Sequence, residues 1–350
     1  MAKISVLSDT HFGFKKSSKV FQDYFEAFYH NVFFPTLEER NIDTVIHIGD
    51  VFDNRKIIDY NALNWAKRVV FEPLKKYKVH MVIGNHDVYY NNSNKLNSPN
   101  LLLDVYDNIS VYKNPTDIKI DNLSISLIPW ITDDNYNESM EFIKGTDSTV
   151  CFGHLELQGF RLNKTLVMDE GMNKDIFKKY RKVFSGHYHT RSTDGHVHYI
   201  GNPYEMFSND VGDDRGFIIF DTEDLSHEFI NNPYQLFCEF YYDEDTLYDD
   251  EFYSELEDYL NNKIVKLYVK NKKDHKKYQQ FLDKIVAFDI IDLKIIENFE
   301  INFNNTDHIV DVSDTLSLLN TYVDEIDNDI DKFKLKGILS QIYNEAISIE

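Results

Sequence analysis

The sequence predicts an α/β fold: two stacked sheets flanked by helices, then a small α+β cap unit and a helical C-terminal segment. Three observations carry this. Apolar runs of strand length alternate with helical patterns through the first ninety residues, the mark of βαβ units and a largely parallel sheet. Short blocks of Asp, His and Asn recur in fixed order at the ends of apolar runs, where open α/β sheets build their sites. Around residues 231–233 those blocks stop, and the composition turns acidic and aromatic.

Taken in order, residues 3–7 are a short buried strand ending at Asp9. Residues 19–40 have helical periodicity through Val20, Tyr24, Phe25, Phe28 and Val32, interrupted by Pro35. A strand at 44–48, a helix at 60–77 and a strand at 79–83 follow. Residues 88–100 are rich in Asn and Ser and are read as a mobile loop near the site. Further strands are expected at 109–112, 123–128, 149–152, 182–185, 198–200 and 216–221. These elements place a catalytic domain at 1–230. Strand, acidic helix, strand, helix and strand then make a second unit at 231–303. Residues 304–350 are a polar linker and an amphipathic helical segment with Leu316, Leu319, Val323, Ile326, Ile330 and Phe333 at helical spacing.

Composition bounds the function. The chain has 350 residues and a net charge of −22, which disfavours tight, unaided binding to nucleic acid. The charge is uneven: residues 1–100 hold 13 Lys and Arg against 11 Asp and Glu, leaving 24 against 48 in the rest. A phosphodiester substrate therefore stays open at an N-terminal site. Two distant cysteines, Cys151 and Cys238, suit a reducing compartment and buried thiols. No apolar stretch approaches the ~18 residues of a membrane span, and no leader pattern opens the chain, so a cytoplasmic protein is expected.

The blocks read Asp9-Thr10-His11, Gly49-Asp50-Val51-Phe52-Asp53, Gly84-Asn85-His86-Asp87, Gly153-His154 and Gly186-His187-Tyr188-His189. Asp9, Asp50, Asn85, His11, His154, His187 and His189 supply two carboxylates, an amide oxygen and four imidazoles, enough for two metal ions. His86 is left over for proton transfer. A carboxylate can bridge two ions, and an amide oxygen ligates without adding charge. Oxygen and imidazole donors without thiolate suit Mn²⁺ or similar ions. Two such ions clamp the attacking and leaving oxygens of a phosphoryl displacement. One Asp-x-His is weak evidence; five blocks in order leave coincidence little room. His47, inside a strand, and His196 and His198, beside a hairpin at Asp194-Gly195, are read as structural. Lys15, Lys16, Arg55 and Lys56 flank the blocks and could meet a DNA backbone or form solvated surface. Tyr89 and Tyr90 are read as core packing, with stacking of Tyr89 on a base as the alternative.

The five blocks, spanning residues 9–189, resemble the calcineurin-like metallophosphoesterases. Gly49-Asp50-Val51-Phe52-Asp53-Asn54-Arg55, Tyr199-Ile200-Gly201-Asn202-Pro203-Tyr204-Glu205-Met206-Phe207 and Arg215-Gly216-Phe217 look, within that superfamily, like the SbcD-type repair and recombination nuclease subunits, phage ones included. The resemblance implies a two-sheet metallophosphoesterase sandwich. It implies that Asp9, His11, Asp50 and His189 hold one metal and that Asp50, Asn85, His154 and His187 hold the other. A metal-bound hydroxide would attack, with His86 stabilising the transition state and protonating the leaving oxygen. Asp53 would accept a hydrogen bond from His86, and Asp87 is given little weight. Archaeal and eukaryotic relatives carry a second histidine where this chain has Asp53.

The implied function is a Mn²⁺-dependent exo/endonuclease acting on double-stranded DNA ends. It would work with an SbcC-like, SMC-type ATPase gripped by the C-terminal helices, and as a homodimer through residues 61–70 and the segment after Asn97. The alternative is a phosphomonoesterase or protein phosphatase of the same superfamily. A non-catalytic scaffold would have lost ligands, and none is missing.

Overall fold

Two six-stranded sheets stack face to face in the computed structural model, which describes residues 2–164 and 166–297. The first runs His227–Asn231, Gly216–Asp221, Lys3–Leu7, Thr44–Ile48, Lys78–Val82, Ile109–Tyr112 from edge to edge. Its last four strands are parallel, and the first two are added antiparallel. The second runs Ser192–Thr193, Val197–Tyr199, Lys182–Gly186, Val150–His154, Leu123–Ile128, Thr116–Ile120, parallel at its centre and antiparallel at both edges. The expected two-sheet α/β sandwich is the observed fold.

Parallel strands covered on both faces are largely apolar, and every residue of Thr44–Ile48 is buried, Thr44 and His47 included. Between the sheets lie Ile4, Val6, Ile46, Ile48, Val82, Leu127, Phe152 and Phe184. On the outer face of the first sheet an aromatic cluster including Phe25, Phe28, Tyr29, Phe33, Trp65 and Phe71 packs beneath the helices. Each such side chain contributes about 1.5–3 kcal/mol of hydrophobic stabilisation. This packing fixes both sheets relative to each other, and so fixes the ends that carry the site.

The helix of residues 19–39 does not stop at Pro35. A π turn at Tyr29–Phe33 precedes the segment Phe34–Glu39, and the next helix repeats the device at Lys67–Phe71 before Pro73. Proline removes an N–H and its ring crowds the carbonyl four residues back; a widened turn relieves both.

Residues 88–97 are not an irregular loop but a hairpin, Val88–Tyr90 with Ser93–Asn97, leading into the helix Ser98–Leu102. Its asparagines do structural work that composition alone conceals. The Asn94 amide donates to the carbonyls of Trp130 (2.8 Å) and Lys113 (3.3 Å), and Asn97 caps the helix by accepting from Asn100 N–H at 2.9 Å.

A third, all-parallel sheet joins Phe237–Asp243, Ile264–Asn271 and Asp292–Ile296. Helices Asp250–Leu260 and His275–Val286, capped by Asp249 and Asp274, cover one face over a core of its own that includes Cys238, Tyr242, Leu256, Leu267 and Phe281. The buried Glu205 carboxylate receives the N–H groups of Leu236 (2.8 Å) and Phe237 (2.9 Å), so the end of the Gly-Asn-Pro-Tyr-Glu-Met-Phe segment anchors this unit. The helical segment expected at 304–350 lies outside the described residues. Among these residues no helix is long and apolar enough to cross a membrane, and both cysteines are free and buried.

Candidate metal centre

Adjacent parallel strands deliver Asp9, Asp50 and Asn85 to one end of the first sheet, and the paired strands Val150–His154 and Lys182–Gly186 deliver His154 and His187 from the second. The turns that do this are tight. Asp9, His11, Asp50 and His187 all have positive φ (51°, 45°, 55° and 85°), a region uncommon for non-glycine residues. Gly49, at φ 99°, admits no side chain, because a Cβ there would lie 2.4 Å from His154 Nδ1. At Gly84 it would lie 2.2 Å from Asp50 Oδ1.

All seven ligand residues expected from the sequence converge. Asp9, His11 and His189 form one group and Asp50, His154 and His187 another, with the ligating atoms of each within 4.8 Å of one another. The Nε2 atoms of His11 and His189 face each other at 3.0 Å, and His189 Nε2 lies 3.9 Å from Asp9 Oδ1. Asn85 Oδ1 is 2.9 Å from both His154 Nε2 and His187 Nδ1. Asp50 Oδ2 sits between the groups, 3.4 Å from His154 Nε2 and 3.8 Å from His11 Nε2.

The donor chemistry fits cations. His154 Nδ1 donates to the Ile48 carbonyl at 2.8 Å, so in the neutral ring Nε2 presents a bare lone pair to Asn85 Oδ1 and Asp50 Oδ2, which are also acceptors. Lone pairs aimed at one another are satisfied by a shared positive ion. Without an ion, a proton on His154 takes that place. Burial penalises a charged His154, yet the Asp50 carboxylate carries it up to about 9. Burial likewise opposes ionisation of Asp50, but His154 and then His11 hold it well below the usual carboxylate range. His11 is pushed well below its ordinary value by burial and by His189.

Four residues that the motifs did not mark as ligands brace the site. The fully buried Asp87 accepts the N–H groups of Asp50 (2.9 Å), Val51 (2.9 Å), Phe52 (3.3 Å) and Gly84 (2.9 Å), tying two ligand loops through its carboxylate. Burial and the Asp50 charge push that carboxyl up to about 7, against the pull of those donors. His47 is structural, as expected: Nδ1 accepts from Gly49 N–H at 3.3 Å and Nε2 lies 3.0 Å from Thr10 Oγ1, bridging the first two blocks. Tyr204 donates its hydroxyl to the Thr10 carbonyl at 2.5 Å, between Asp9 and His11. Arg215, 3% exposed, donates to the His189 carbonyl and to Asp210. Three of the four lie in the quoted motifs, but nothing local in the sequence marks which distant groups they bond.

Three readings need correction. His86 Nδ1 donates to the backbone carbonyl of Asp53 at 2.6 Å, not to its carboxylate, which instead lies 3.6 Å from His11 Nδ1. Asp87 acts through its side chain and braces two loops. Tyr89 and Tyr90 are not core residues but are 40% and 55% exposed, edge-on to each other at 4.8 Å. Of the candidate DNA contacts, Lys15 and Lys16 are exposed beside the first block, and Arg55 bonds the Asn91 side chain.

A two-sheet sandwich whose strand ends converge on paired Asp/His groups defines a metallophosphoesterase. The chain belongs to the calcineurin-like phosphoesterase family, whose model matches residues 2–204. It is 32% identical to exonuclease subunit 1 of Enterobacteria phage T4 over 88% of this chain and 89% of that protein. It is 22% identical to phosphoesterase 078R of Invertebrate iridescent virus 3 over 56% of this chain and 58% of that one. A purple acid phosphatase, PPD1 from yellow lupin seeds, superposes loosely, with a TM-score of 0.39 and 10% identity over 65% of this chain and 52% of the other.

Proposed function

We propose that this chain is the nuclease subunit of a two-component complex and hydrolyses phosphodiester bonds at double-stranded DNA ends. The observation that carries this reading is the convergence of seven lone-pair donors on one end of the stacked sheets, with His86 beside them. Likeness to an exonuclease subunit across nearly the full length of both chains supports the choice of substrate class. Asp9, His11, Asp50 and His189 would hold one divalent ion and Asp50, Asn85, His154 and His187 the other, with Mn²⁺ best matched to oxygen and imidazole donors. When bound, such ions activate water and neutralise charge on the phosphoryl oxygens.

The chain's own residues do the rest. His86 lies edge-on to His11, ring centroids 4.7 Å apart, and its Nδ1 is committed to the Asp53 carbonyl. Nε2 is thereby the atom that hands a proton to the leaving oxygen. The domain division at 231 and 304 remains part of this proposal, with the second unit as a cap on the DNA side. An SbcC-like, SMC-type ATPase bound through the C-terminal helices would supply the affinity that a chain of charge −22 lacks. Exposed Ile57, Tyr60 and Leu101, near the helix at 61–70 and after Asn97, support contact with a second copy.

A phosphomonoesterase or protein phosphatase would use the same ions, so substrate is what must be tested. Purified chain is incubated with Mn²⁺ and end-labelled linear duplex, beside His86→Ala and a small phosphomonoester. Mn²⁺-dependent degradation that disappears in the variant is the expected result. Turnover of the monoester alone, with DNA intact even after an ATPase partner is added, would place the chain among the phosphatases.

A further inference from the structure

Phe207 closes the Gly-Asn-Pro-Tyr-Glu-Met-Phe segment, and the catalytic reading makes no use of it. The preceding residues of that segment are buried: Asn202, Tyr204, Glu205 and Met206 are at most 2% exposed, whereas the Phe207 ring is 44% exposed. It stands at the rim of the metal centre. Its ring lies 6.5 Å from that of His189 and is nearly parallel to it, at 19°. It also packs against buried Phe14, ring centroids 5.2 Å apart and planes nearly perpendicular. Phe14 begins the turn that carries exposed Lys15 and Lys16.

The ring is thus partly packed and partly open to solvent beside the metal centre. Yet the chain holds this residue rigidly. The buried Asp210 carboxylate accepts the N–H groups of Met206 (2.8 Å) and Phe207 (2.9 Å), and Asp210 N–H returns a bond to the Phe207 carbonyl at 3.0 Å. Arg215 Nη2 grips the same carboxylate at 2.8 Å, while its Nη1 donates to the His189 carbonyl. One buried guanidinium therefore links the backbone of a candidate ligand histidine to the backbone that carries the exposed ring. A charged network of this kind holds the main chain from which a substrate contact can be presented.

We propose that Phe207 is the platform on which the nucleobase beside the scissile phosphate stacks, with Lys15 and Lys16 facing the neighbouring backbone phosphates. This deepens the nuclease reading and rests on it. A planar apolar face recognises a base of any sequence, because every base offers a π-face. Stacking here would hold the terminal nucleotide so that its phosphate lies over the ions, which favours the ends of DNA over small phosphoesters.

The test uses the full chain, Mn²⁺ and short duplexes carrying a single tetrahydrofuran abasic residue on either side of the scissile phosphate. Wild-type chain should cleave intact duplex and lose about ten- to a hundredfold in kcat/KM when the base at one of these positions is missing. Phe207→Ala should lose a similar factor on intact duplex and be indifferent to the abasic residue, with Mn²⁺ affinity and melting temperature unchanged. Phe207→Trp should restore both rate and abasic sensitivity. An alanine variant that cleaves intact duplex at the wild-type rate, or that keeps the full abasic penalty, overturns the proposal. Wild-type chain that leaves intact duplex uncut while hydrolysing a small ester sinks the nuclease reading itself, and this proposal with it.

Discussion

Asp87 holds Asp50 in position without approaching the ligand groups itself: Asp87 Oδ2 accepts the Asp50 N–H at 2.9 Å, and Oδ1 takes the next two N–H groups along the chain. The same carboxylate also takes Gly84 N–H at 2.9 Å, so the turns after two adjacent strands share one buried anchor. Asp50, the residue between the two metal groups, is thus placed by a side chain 37 residues downstream.

Replacing Asp87 with alanine leaves four N–H groups short of an acceptor, each costing about 1–3 kcal/mol where water cannot reach it. Asp87→Ala should lose at least about 3 kcal/mol of stability and bind Mn²⁺ about 10–100-fold more weakly. Asp87→Asn, which keeps one acceptor oxygen, should fall between it and wild type. Urea melts and Mn²⁺ calorimetry read both effects. A wild-type melt for the alanine variant would show that the loops stand without this anchor.

Because lone pairs face one another across both groups, divalent ions should stabilise the fold as well as enable chemistry. At a hundredfold excess over its Kd, Mn²⁺ should add about 2.7 kcal/mol, visible as a higher Tm that EDTA reverses. Asp50→Asn should abolish most of this shift, since Asp50 serves both groups. An Mn²⁺-induced shift of wild-type size in that variant would place the ions elsewhere.

The position of Asp53 separates two roles that the motif runs together. Its carboxylate is 3.6 Å from His11 Nδ1, and the hydrogen bond from His86 goes to its backbone carbonyl. Asp53→Asn should therefore weaken Mn²⁺ binding about 10–100-fold through His11. At saturating Mn²⁺ it should keep a kcat far above that of His86→Ala. A kcat as low as that of His86→Ala, with unaltered metal affinity, would restore the carboxylate–His86 pairing.

The ligand set was legible because each member ends an apolar run, and parallel strands must deliver their ends to one edge. Asp87, Arg215 and Tyr204 stood inside the quoted motifs, but their bracing roles were not legible, since each depends mainly on partners that the fold brings together. The strands Thr116–Ile120 and His227–Asn231 escaped for a related reason: both lie at sheet edges and carry exposed polar residues such as Asp117, Lys119, His227 and Glu228 instead of an apolar run. The hairpin at 88–97 hid behind asparagines whose amides bond backbone. The helix at 19–39 read as broken because proline statistics do not foresee a π turn absorbing Pro35.

Acid should destabilise the fold through histidines buried as neutral rings, and His80 isolates the effect away from the metal centre. It lies within Lys78–Val82, is 3% exposed, and its Nδ1 is 2.7 Å from the Tyr112 hydroxyl. Burial, with Lys78 nearby, pulls it down to about 4. In the unfolded chain the same ring titrates near ~6.5. Between those values the unfolded state binds the extra proton, so stability is whole above pH ~6.5 and drains away as pH falls toward 4. His80 alone should account for as much as about 3 kcal/mol of that loss. His80→Phe keeps a ring beside Tyr112 but cannot titrate. Its unfolding free energy in urea should fall less between pH 7 and pH 4.5 than that of the wild type. Equal losses in the two proteins would mean that the neutral His80 ring is not what acid attacks, and that the carboxylates of the fold account for the whole dependence.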